Sequence, residues 1–258
     1  MRREKTNYVI QSVAHALDVL EQFRGDVDEL GVTELSKRLK LHKNNVFRLL
    51  ATLESRGYIE QNKATENYRL GIRCLQLGQT YIQQMGLLRQ AEPILQKVAQ
   101  KTRENTSVAV MRRAAAVPVR VVESNLPVRI TANVGEGLPL HSTALGKVFL
   151  AFESEEDSKA MLGMSLDRFT DKTITDIGAL LEHLKQVAEK GYAVDGGEFL
   201  VDVRGIAAPI RDYTRNVVGA FGVSGPAYRL DAERIEREVA PMVLQAGKEL
   251  SSRLGYHE

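Results

Sequence analysis

Residues 32–71 restrict the fold most tightly, because two helices and a hairpin must follow one another there within a short length of chain. The sequence reads VTELSKRLKLHKNNVFRLLATLESRGYIEQNKATENYRLG. Apolar residues recur in it at the spacing of one helical face, at Val46, Leu49, Leu50 and Leu53. A shorter helix, ELSKRLK, precedes the turn LHKN with Thr33 predicted as its N-cap, and Gly57 is predicted to end the longer helix.

The neighbouring segments complete the arrangement. A first helix is predicted from Ser12 to Phe23 with Ser12 as its N-cap, and the strand-like segments YIEQN and NYRL follow the other two helices. Helix, helix–turn–helix and hairpin in this order indicate a winged helix-turn-helix, whose third helix enters the major groove of DNA. The alternative, in which that helix only covers a core, explains its apolar face but neither its basic polar face nor the hairpin attached to it.

The charge distribution favours a nucleic-acid partner for this part of the chain. The formal net charge of the whole chain is +2, yet residues 37–73 contain nine Lys or Arg residues and only three Asp or Glu residues. A basic segment joined to a larger, mildly acidic remainder is typical of a protein that binds a polyanion with one part only.

Eight residues are candidates for contact with DNA. Asn45 and Arg48 lie one turn apart on the polar face of the third helix and are predicted to read base edges. For Asn44, a contact with DNA and a role as the N-cap of that helix both remain open. The other candidates are Thr33, Lys43, Thr52, Arg56 and Arg69, whose three cations suit phosphate contacts.

Composition argues against several other classes of protein. No apolar run approaches the ~20 residues needed to cross a bilayer, and the N-terminal residues lack the apolar region of a signal peptide. The single cysteine, Cys74, excludes an internal disulfide and a cysteine-built zinc site, and the five histidines lack ligand spacing. We therefore expect a cytoplasmic protein that uses no membrane, no metal and no other cofactor.

The rest of the chain predicts an α+β domain. Residues 72–88 indicate a linker helix whose apolar face needs a partner, and the segments from residue 89 to 258 interleave strands unevenly with helices. Strands are predicted at SVAVM, VRVVES, VRITAN, YAVD, RGIAAPI and NVVGAFGVS, and helices at 144–152, 155–163, 176–190 and 231–254. Such a pattern is typical of an antiparallel sheet with helices packed against it.

Three stretches resemble the IclR-type bacterial transcriptional regulators: VTELSKRLKLHKNNVFRLLATLESRGYIE, GLPLHSTALGKVFLA, and GYAVDGGEFLVDVRGIAAPI with VVGAFGVSGP. The resemblance extends over nearly the whole chain. It implies a winged helix-turn-helix DNA-binding domain at residues 1–71 and a GAF-like effector-binding domain at residues 89–258. It also implies binding to palindromic operators in double-stranded DNA as a dimer or a dimer of dimers, and we expect the chain to act as a repressor. Where the family commonly has Ser-Thr, this chain has Asn44-Asn45, which favours a different operator.

The segment GEGLPLHSTALGK, residues 135–147, indicates where a small effector would bind. A Gly- and Pro-containing loop that leads directly into a helix offers backbone N–H groups to an anion, such as a small or aromatic carboxylate. Thr143, Ala144 and Leu145 are predicted to present these donors, and Gly146 to allow close approach.

The family resemblance adds further pocket residues. It implies Asp195, Gly205 and Ser224, with Gly205 where relatives often have Cys and Gly222 where some have Ser, so that the pocket has more room. Ile130 and Leu138 are predicted to form apolar walls, and His141 completes the set.

Structural alternatives remain open for several of these residues. His141 would serve equally to hold its loop together by hydrogen bonds. Lys147 would be an exposed or structural cation, and Asp195 would form a turn by accepting hydrogen bonds from the backbone that follows it.

A hydrolase-like enzyme with an appended nucleic-acid-binding domain is the alternative function. His141, Ser142 and Asp195 supply the residue types of a catalytic triad, but neighbours on one loop seldom direct both side chains at one proton. The sequence contains no G-x-S-x-G, Walker or H-E-x-x-H motif, so we predict no catalytic residues. A pure protein-interaction module would leave the basic charge of the winged segment, residues 37–73, unexplained.

Overall fold

The computed structural model describes residues 9–23, 27–84, 86–131 and 133–256. The chain divides into two compact units, Met1–Gln84 and Met85–Glu258.

The first unit has the order helix, helix, helix, two strands, helix. Its elements are α1 (Gln11–Glu21), α2 (Val32–Leu39), α3 (Lys43–Ser55), β1 (Ile59–Gln61), β2 (Tyr68–Leu70) and α4 (Ile72–Gln84). The two strands pair antiparallel, and Leu30 forms a further bridge to Tyr68. The apolar faces of the first three helices meet these strands in one core that includes Val19, Leu35, Val46, Leu50 and Ile59. The predicted winged helix-turn-helix is confirmed.

The helix starts differ from the predicted ones. The N-cap of α1 is Ile10, that of α2 is Gly31 and that of α3 is His42, and none of the three makes a side-chain capping bond. The backbone sets these starts: Leu35 donates to the Gly31 carbonyl at 3.0 Å, and Val46 donates to the His42 carbonyl at 3.1 Å. The predicted caps Ser12 and Thr33, and the cap considered for Asn44, were therefore wrong, because all three lie inside the first turn.

The end of α3 agrees with the prediction. Gly57 has a φ of +75°, its N–H donates to the Glu54 carbonyl, and the N–H of Tyr58 donates to the Leu53 carbonyl. This pair of bonds is the Schellman motif, which favours glycine at the left-handed position. A Cβ on Gly71 would lie 2.4 Å from the Gly57 carbonyl oxygen, so the glycines also allow the end of α3 and the start of α4 to approach closely.

The second unit is an antiparallel sheet with helices on both faces. Its elements are α5 (Gly86–Thr102), β3 (Asn105–Arg112), β4 (Ala115–Val122), α6 (Ala144–Ala151), α7 (Glu155–Leu162), α8 (Ile177–Lys190), β5 (Ala193–Asp195), β6 (Val203–Arg211), β7 (Val217–Pro226), α9 (Ala232–Arg234), a π-helical turn (Ile235–Val239) and α10 (Ala240–Arg253). The strand order is β4-β3-β7-β6-β5, with every pair antiparallel.

Two apolar cores occupy the two faces of this sheet. One contains residues of α5, the π-helical turn and α10, such as Leu95, Val239 and Leu250. The other contains residues of α6 and α8, such as Phe149 and Leu180. Side chains along β6 point alternately to the two faces of the sheet, so Ile206 belongs to the first core and Ala207 to the second. The predicted α+β class is confirmed.

Two predicted elements differ in the structure. The segment VRITAN has no strand among its described residues. The Ile130 carbonyl instead accepts a hydrogen bond from the Asn105 side-chain amide at 2.6 Å. The helix predicted over 72–88 ends at Gln84, and α5 starts at Gly86. The predicted domain limits at residues 71 and 89 remain a prediction.

Candidate functional sites

The exposed face of α3 carries most of the predicted DNA contacts. All eight candidates are exposed: Thr33, Lys43, Asn44, Asn45, Arg48, Thr52, Arg56 and Arg69. Burial of Val46, Leu50 and Leu53 turns the polar side of α3 outward. The Thr52 hydroxyl donates to the Arg48 carbonyl at 2.8 Å, and the Arg69 guanidinium lies 3.4 Å from the Glu60 carboxylate on the neighbouring strand. Both members of this ion pair are about half exposed, so Arg69 can exchange Glu60 for another anion.

Phe47 is a further exposed residue of α3 that was not among the predicted DNA contacts. Its side chain is 57% exposed on α3, next to Arg48. The signal was present, because Phe47 lies outside the apolar stripe formed by Val46 and Leu50 and so has no place in the core.

A cavity of about 320 Å³ lies in the second unit. We call it the effector cavity. It is lined by residues of α6, of strands β3 to β7 and of the segment between β4 and α6. Eight of the ten predicted effector residues line it: Ile130, Leu138, Thr143, Ala144, Leu145, Asp195, Gly205 and Ser224.

Strand register brings three of these residues together. Asp195 of β5 pairs with Gly205 of β6, which pairs with Ser224 of β7. Directly paired residues point to the same face of a sheet, so they form one row across the floor of the cavity. Ser107 and Gly222, which pair with each other on β3 and β7, also line the cavity. Glycine at 205 leaves space, because a Cβ there would meet the Ala144 Cβ at an ordinary 3.5 Å.

The N-terminus of α6 faces the same cavity. Thr143 is its N-cap, and the Thr143 hydroxyl accepts a hydrogen bond from the N–H of Gly146 at 3.1 Å and donates one to the Pro139 carbonyl at 2.7 Å. Among the described residues, the backbone N–H groups of Ala144 and Leu145 have no acceptor. They are free to bind an anion, which the positive end of the helix dipole favours.

Gly146 and His141 lie elsewhere than predicted. Neither lines the effector cavity. A Cβ on Gly146 would lie 2.4 Å from the Leu140 Cα, so this glycine lets α6 pack against its own loop and not against a ligand. The His141 ring stacks on Phe169 with centroids 5.7 Å apart, and its Nε2 lies 2.9 Å from the Asp167 carbonyl oxygen. This is the loop-holding role that the sequence left open.

Asp195 both forms a turn and lines the cavity. Its Oδ1 accepts hydrogen bonds from the N–H groups of Gly197, at 2.9 Å, and Glu198, at 2.7 Å, while Oδ2 has no partner among the described residues. Burial raises the pKa of Asp195 to about 6, and the nearby Glu198 carboxylate acts in the same direction.

Lys147 is a structural cation. Its side chain is fully buried, with Nζ 2.5 Å from Glu198 Oε1 and 3.2 Å from the Val194 carbonyl oxygen. His183 Nε2 lies 3.4 Å from the same Nζ. Burial lowers the pKa of His183 to about 4, and the Lys147 ammonium contributes to this shift as a smaller cause. The contact between Lys147 and Glu198 was not predicted, because the two residues lie in distant segments of the chain.

The electrostatic character of the effector cavity is unusual for an anion site. Its lining, as far as the structure describes it, includes two carboxylates, Asp195 and Glu136, and no Lys, Arg or His. Glu136 accepts a hydrogen bond from the Asn133 side chain at 2.7 Å. Polar lining residues that the sequence analysis missed are Ser107, Thr131, Asn133 and Glu136, and missed apolar ones include Phe199 and Leu200.

Neither a metal cluster nor a membrane-spanning helix is found in the part of the chain that the structure describes. No group of three His, Cys, Asp or Glu side chains there is arranged to hold a metal ion. No described helix is both long enough and apolar enough to cross a bilayer.

Two family models match the chain. The IclR helix-turn-helix domain matches residues 12–63, and the C-terminal domain of the bacterial transcriptional regulator IclR matches residues 79–252.

Similar proteins cover almost the whole chain. HTH-type transcriptional regulator KdgR of Escherichia coli is 33% identical over 250 residues, which cover 96% of this chain and 94% of that protein. Transcriptional repressor IclR of Escherichia coli is 29% identical over 249 residues, which cover 95% of this chain and 90% of that protein.

Solved structures agree. The crystal structure of a putative transcriptional regulator from Rhodococcus has a TM-score of 0.87 at 27% identity and covers 96% of this chain and 99% of its own. An IclR homologue from Microbacterium hydrocarbonoxydans, crystallised in complex with 4-hydroxybenzoate, has a TM-score of 0.83 at 25% identity and covers 95% and 99%.

Proposed function

This chain belongs to the IclR family of bacterial transcriptional regulators, and we propose that it represses transcription by placing α3 in the major groove of a palindromic operator until a small hydroxylated carboxylic acid binds the effector cavity. It is a regulator with a helix-turn-helix DNA-binding domain and a GAF-like C-terminal domain, and the hydrolase alternative has no support. We propose that it acts in the cytoplasm.

The exposed polar face of α3 supports base reading. Asn45 and Arg48 have side-chain donors suited to adenine and guanine edges. Lys43, Arg56 and Arg69 are exposed cations that fix the register on phosphates, and Thr33, Asn44 and Thr52 add polar contacts.

Two exposed apolar faces in the first unit support assembly with a second copy. Seven apolar side chains on these two faces are more than half exposed. One group lies on α1 and just before it, at Val9, Ile10, Val13 and Leu17, and the other lies on α4, at Ile72, Leu75 and Leu77. Single exposed apolar side chains are ordinary, but contiguous groups of them indicate an interface. A dimer would present two copies of α3 to half-sites about 34 Å, or a multiple of it, apart.

The effector class follows from the donors and acceptors of the cavity. The free N–H groups of Ala144 and Leu145 suit a carboxylate, whereas Asp195 and Ser224 on the sheet floor suit a hydroxyl group. Apolar side chains such as Ile130, Leu138 and Phe199 suit a ring or a short carbon chain. The relative bound to 4-hydroxybenzoate holds a ligand of this class.

The row formed by Asp195, Gly205 and Ser224 beneath the N-terminus of α6 is the observation that carries the proposal. It places hydrogen-bond acceptors and free backbone donors around one cavity, so a ligand with both a carboxylate and a hydroxyl satisfies both ends. Effector binding would release the operator only if the ligand favours one arrangement of the subunits over another.

One experiment tests both parts. Genomic fragments that the protein retains at modest salt are sequenced, and release of the selected duplex is titrated with 4-hydroxybenzoate, benzoate and phenol. We expect retention of a palindromic sequence and stronger release by the hydroxy acid than by either partial analogue. Retention without sequence preference contradicts the regulator, equal release by all three contradicts the effector class, and consumption of the acid would favour an enzyme.

A further inference from the structure

A second, larger cavity lies in the second unit and shares no lining residue with the effector cavity. Its volume is about 780 Å³. We call it the basic cavity. The end of α8, β6 and α10 contribute to its lining, together with Phe152 after α6 and Tyr256 after α10.

The guanidinium group of Arg211 is held in place at this cavity. Its Cζ lies 4.6 Å from the centroid of the Phe152 ring and 5.8 Å from that of Tyr256. Its Nη1 donates to the Arg215 carbonyl at 3.1 Å, and its backbone N–H donates to the Ser251 hydroxyl at 2.9 Å. Nε and Nη2 donate no hydrogen bond to any acceptor among the described residues. The N–H groups of Nε and Nη2, which form one edge of the planar fork, therefore remain for a ligand.

Two more cations line the same cavity from other elements. Lys190 ends α8 and Lys248 lies on α10, and Glu189 is the one carboxylate among the lining residues described. The described lining residues thus include more cations than carboxylates, the reverse of the effector cavity. Lys190 also offsets the negative end of the α8 dipole, which would otherwise repel an anion.

We propose that the basic cavity is a second ligand site and that it binds a phosphate monoester. A phosphate monoester carries a charge near −2 at neutral pH, which suits a lining with several cations, whereas a monocarboxylate carries only half of that charge. Phosphate oxygens accept two parallel hydrogen bonds from an arginine fork. The remaining volume and the rings of Phe152 and Tyr256 accommodate the organic part of the ester.

Calorimetric titration of the full chain tests the site with defined probes. Phenyl phosphate and glycerol 3-phosphate are the ligands, and phenol and glycerol are their matched controls without phosphate. We expect at least one ester to bind and neither alcohol to do so. Absence of heat and of thermal stabilisation with both esters at roughly 10 mM overturns the proposal, since a ligand with a millimolar Kd is then largely bound.

Variants assign any binding to this cavity. We expect Lys190→Gln combined with Lys248→Gln, and separately Arg211→Lys, to weaken ester binding by about tenfold or more, because each removes a charge or a bidentate contact. Lys185→Gln is the control, since Lys185 lies on α8 outside the lining and pairs with Glu182. Equal affinity in the lining variants and the control overturns the proposal.

Two further measurements keep the result unambiguous. Melting temperatures without ligand establish that each variant is folded, and the two lysines are exposed, so their replacement leaves packing intact. Gly205→Leu, which fills the effector cavity, should leave ester binding unchanged. Loss of ester binding in Gly205→Leu would place the ester in the effector cavity and overturn the proposal.

Discussion

Lys147 on α6 and Glu198 after β5 form an enclosed ion pair, with Nζ 2.5 Å from Oε1 and no exposure of the lysine side chain. The second oxygen of Glu198, Oε2, is buried and has no hydrogen-bond partner among the described residues. The same is true of the Ser142 hydroxyl. Taking two charges out of water is costly, and here their mutual attraction offsets that cost only while both are present. The pair ties the start of α6 to the turn that contains Asp195.

Lys147→Met should therefore destabilise the second unit strongly. It leaves the Glu198 carboxylate buried without its cation, a change that costs about 3–5 kcal/mol in the free energy of unfolding. Urea unfolding measures the loss. Lys147→Met combined with Glu198→Gln should recover much of it, because no uncompensated charge then remains. A double variant as unstable as the single one would mean that packing, and not charge, dominates at this site.

Asp195 and His183 should give opposite pH dependences of stability. The pKa of Asp195 rises from 3.8 to about 6 in the folded state, so between these values the folded state holds a proton that the unfolded state has lost. Its contribution to the free energy of unfolding therefore falls as the pH rises from about 4 to 6. The pKa of His183 falls from 6.5 to about 4, so the unfolded state binds the extra proton and the contribution of His183 rises with pH over nearly the same range.

Single variants separate the two contributions. Relative to wild type, Asp195→Asn should gain stability as the pH rises from about 4 to 6, and His183→Gln should lose it, as measured by urea unfolding at several pH values. Glu136→Gln is the control, since its carboxylate is exposed at the rim of the effector cavity. The same sign of slope difference in both variants would contradict the assigned pKa directions.

Gly205 should set the size of the acceptable effector. Gly205→Ala fits, because the new Cβ would stand 3.5 Å from the Ala144 Cβ and 3.7 Å from the Asp195 Cβ. Gly205→Leu should abolish thermal stabilisation by 4-hydroxybenzoate while leaving the melting temperature of the free protein near that of wild type. Gly196→Ala is a matched control, since a Cβ there meets nothing within 4 Å and Gly196 does not line the cavity. Unchanged ligand stabilisation in Gly205→Leu would place the effector elsewhere.

The local pattern predicted the first unit well. A 3.6-residue apolar period, a left-handed glycine and a polar hairpin tip are set by nearby residues, so Val46, Gly57 and the hairpin follow from sequence alone. The caps could not be predicted in this way, because Gly31 and His42 start their helices through backbone carbonyls. The residues predicted as caps, Thr33 and Asn44, lie two positions later.

The effector cavity was only partly predictable. The resemblance supplied Asp195, Gly205 and Ser224, and strand register explains why they meet. Residues such as Thr131, Asn133 and Glu136 come from a segment without regular structure, where no period or motif fixes the direction of a side chain. The same holds for Lys147 and Glu198, whose contact joins positions far apart in the chain.

Arg48 and Lys43 should differ in what they contribute to DNA binding. Arg48→Ala should relax sequence preference at one position, because arginine discriminates a base by about 1–3 kcal/mol through its two parallel hydrogen bonds. Lys43→Ala should weaken binding to all sequences alike and reduce the salt slope by about one unit. Binding to a randomised duplex pool at several salt concentrations checks both. Equal sequence preference in wild type and Arg48→Ala would contradict base reading by this residue.

Phe47 should recognise a thymine methyl group. The phenyl ring of Phe47 is exposed beside Arg48 on α3, so covering it when DNA binds would be favourable. Apolar contact with the C5-methyl of thymine is a known form of major-groove recognition. Phe47→Ala should weaken binding to the selected operator, and replacing thymine by uracil at one operator position should weaken wild type to a similar degree. The two changes together should cost no more than either alone, because each removes the same contact. Leu75→Ala, at an exposed apolar position of α4, is the control for a general loss of apolar surface. If the losses of affinity from Phe47→Ala and from uracil are fully additive at every operator position, the ring packs against something other than a thymine methyl.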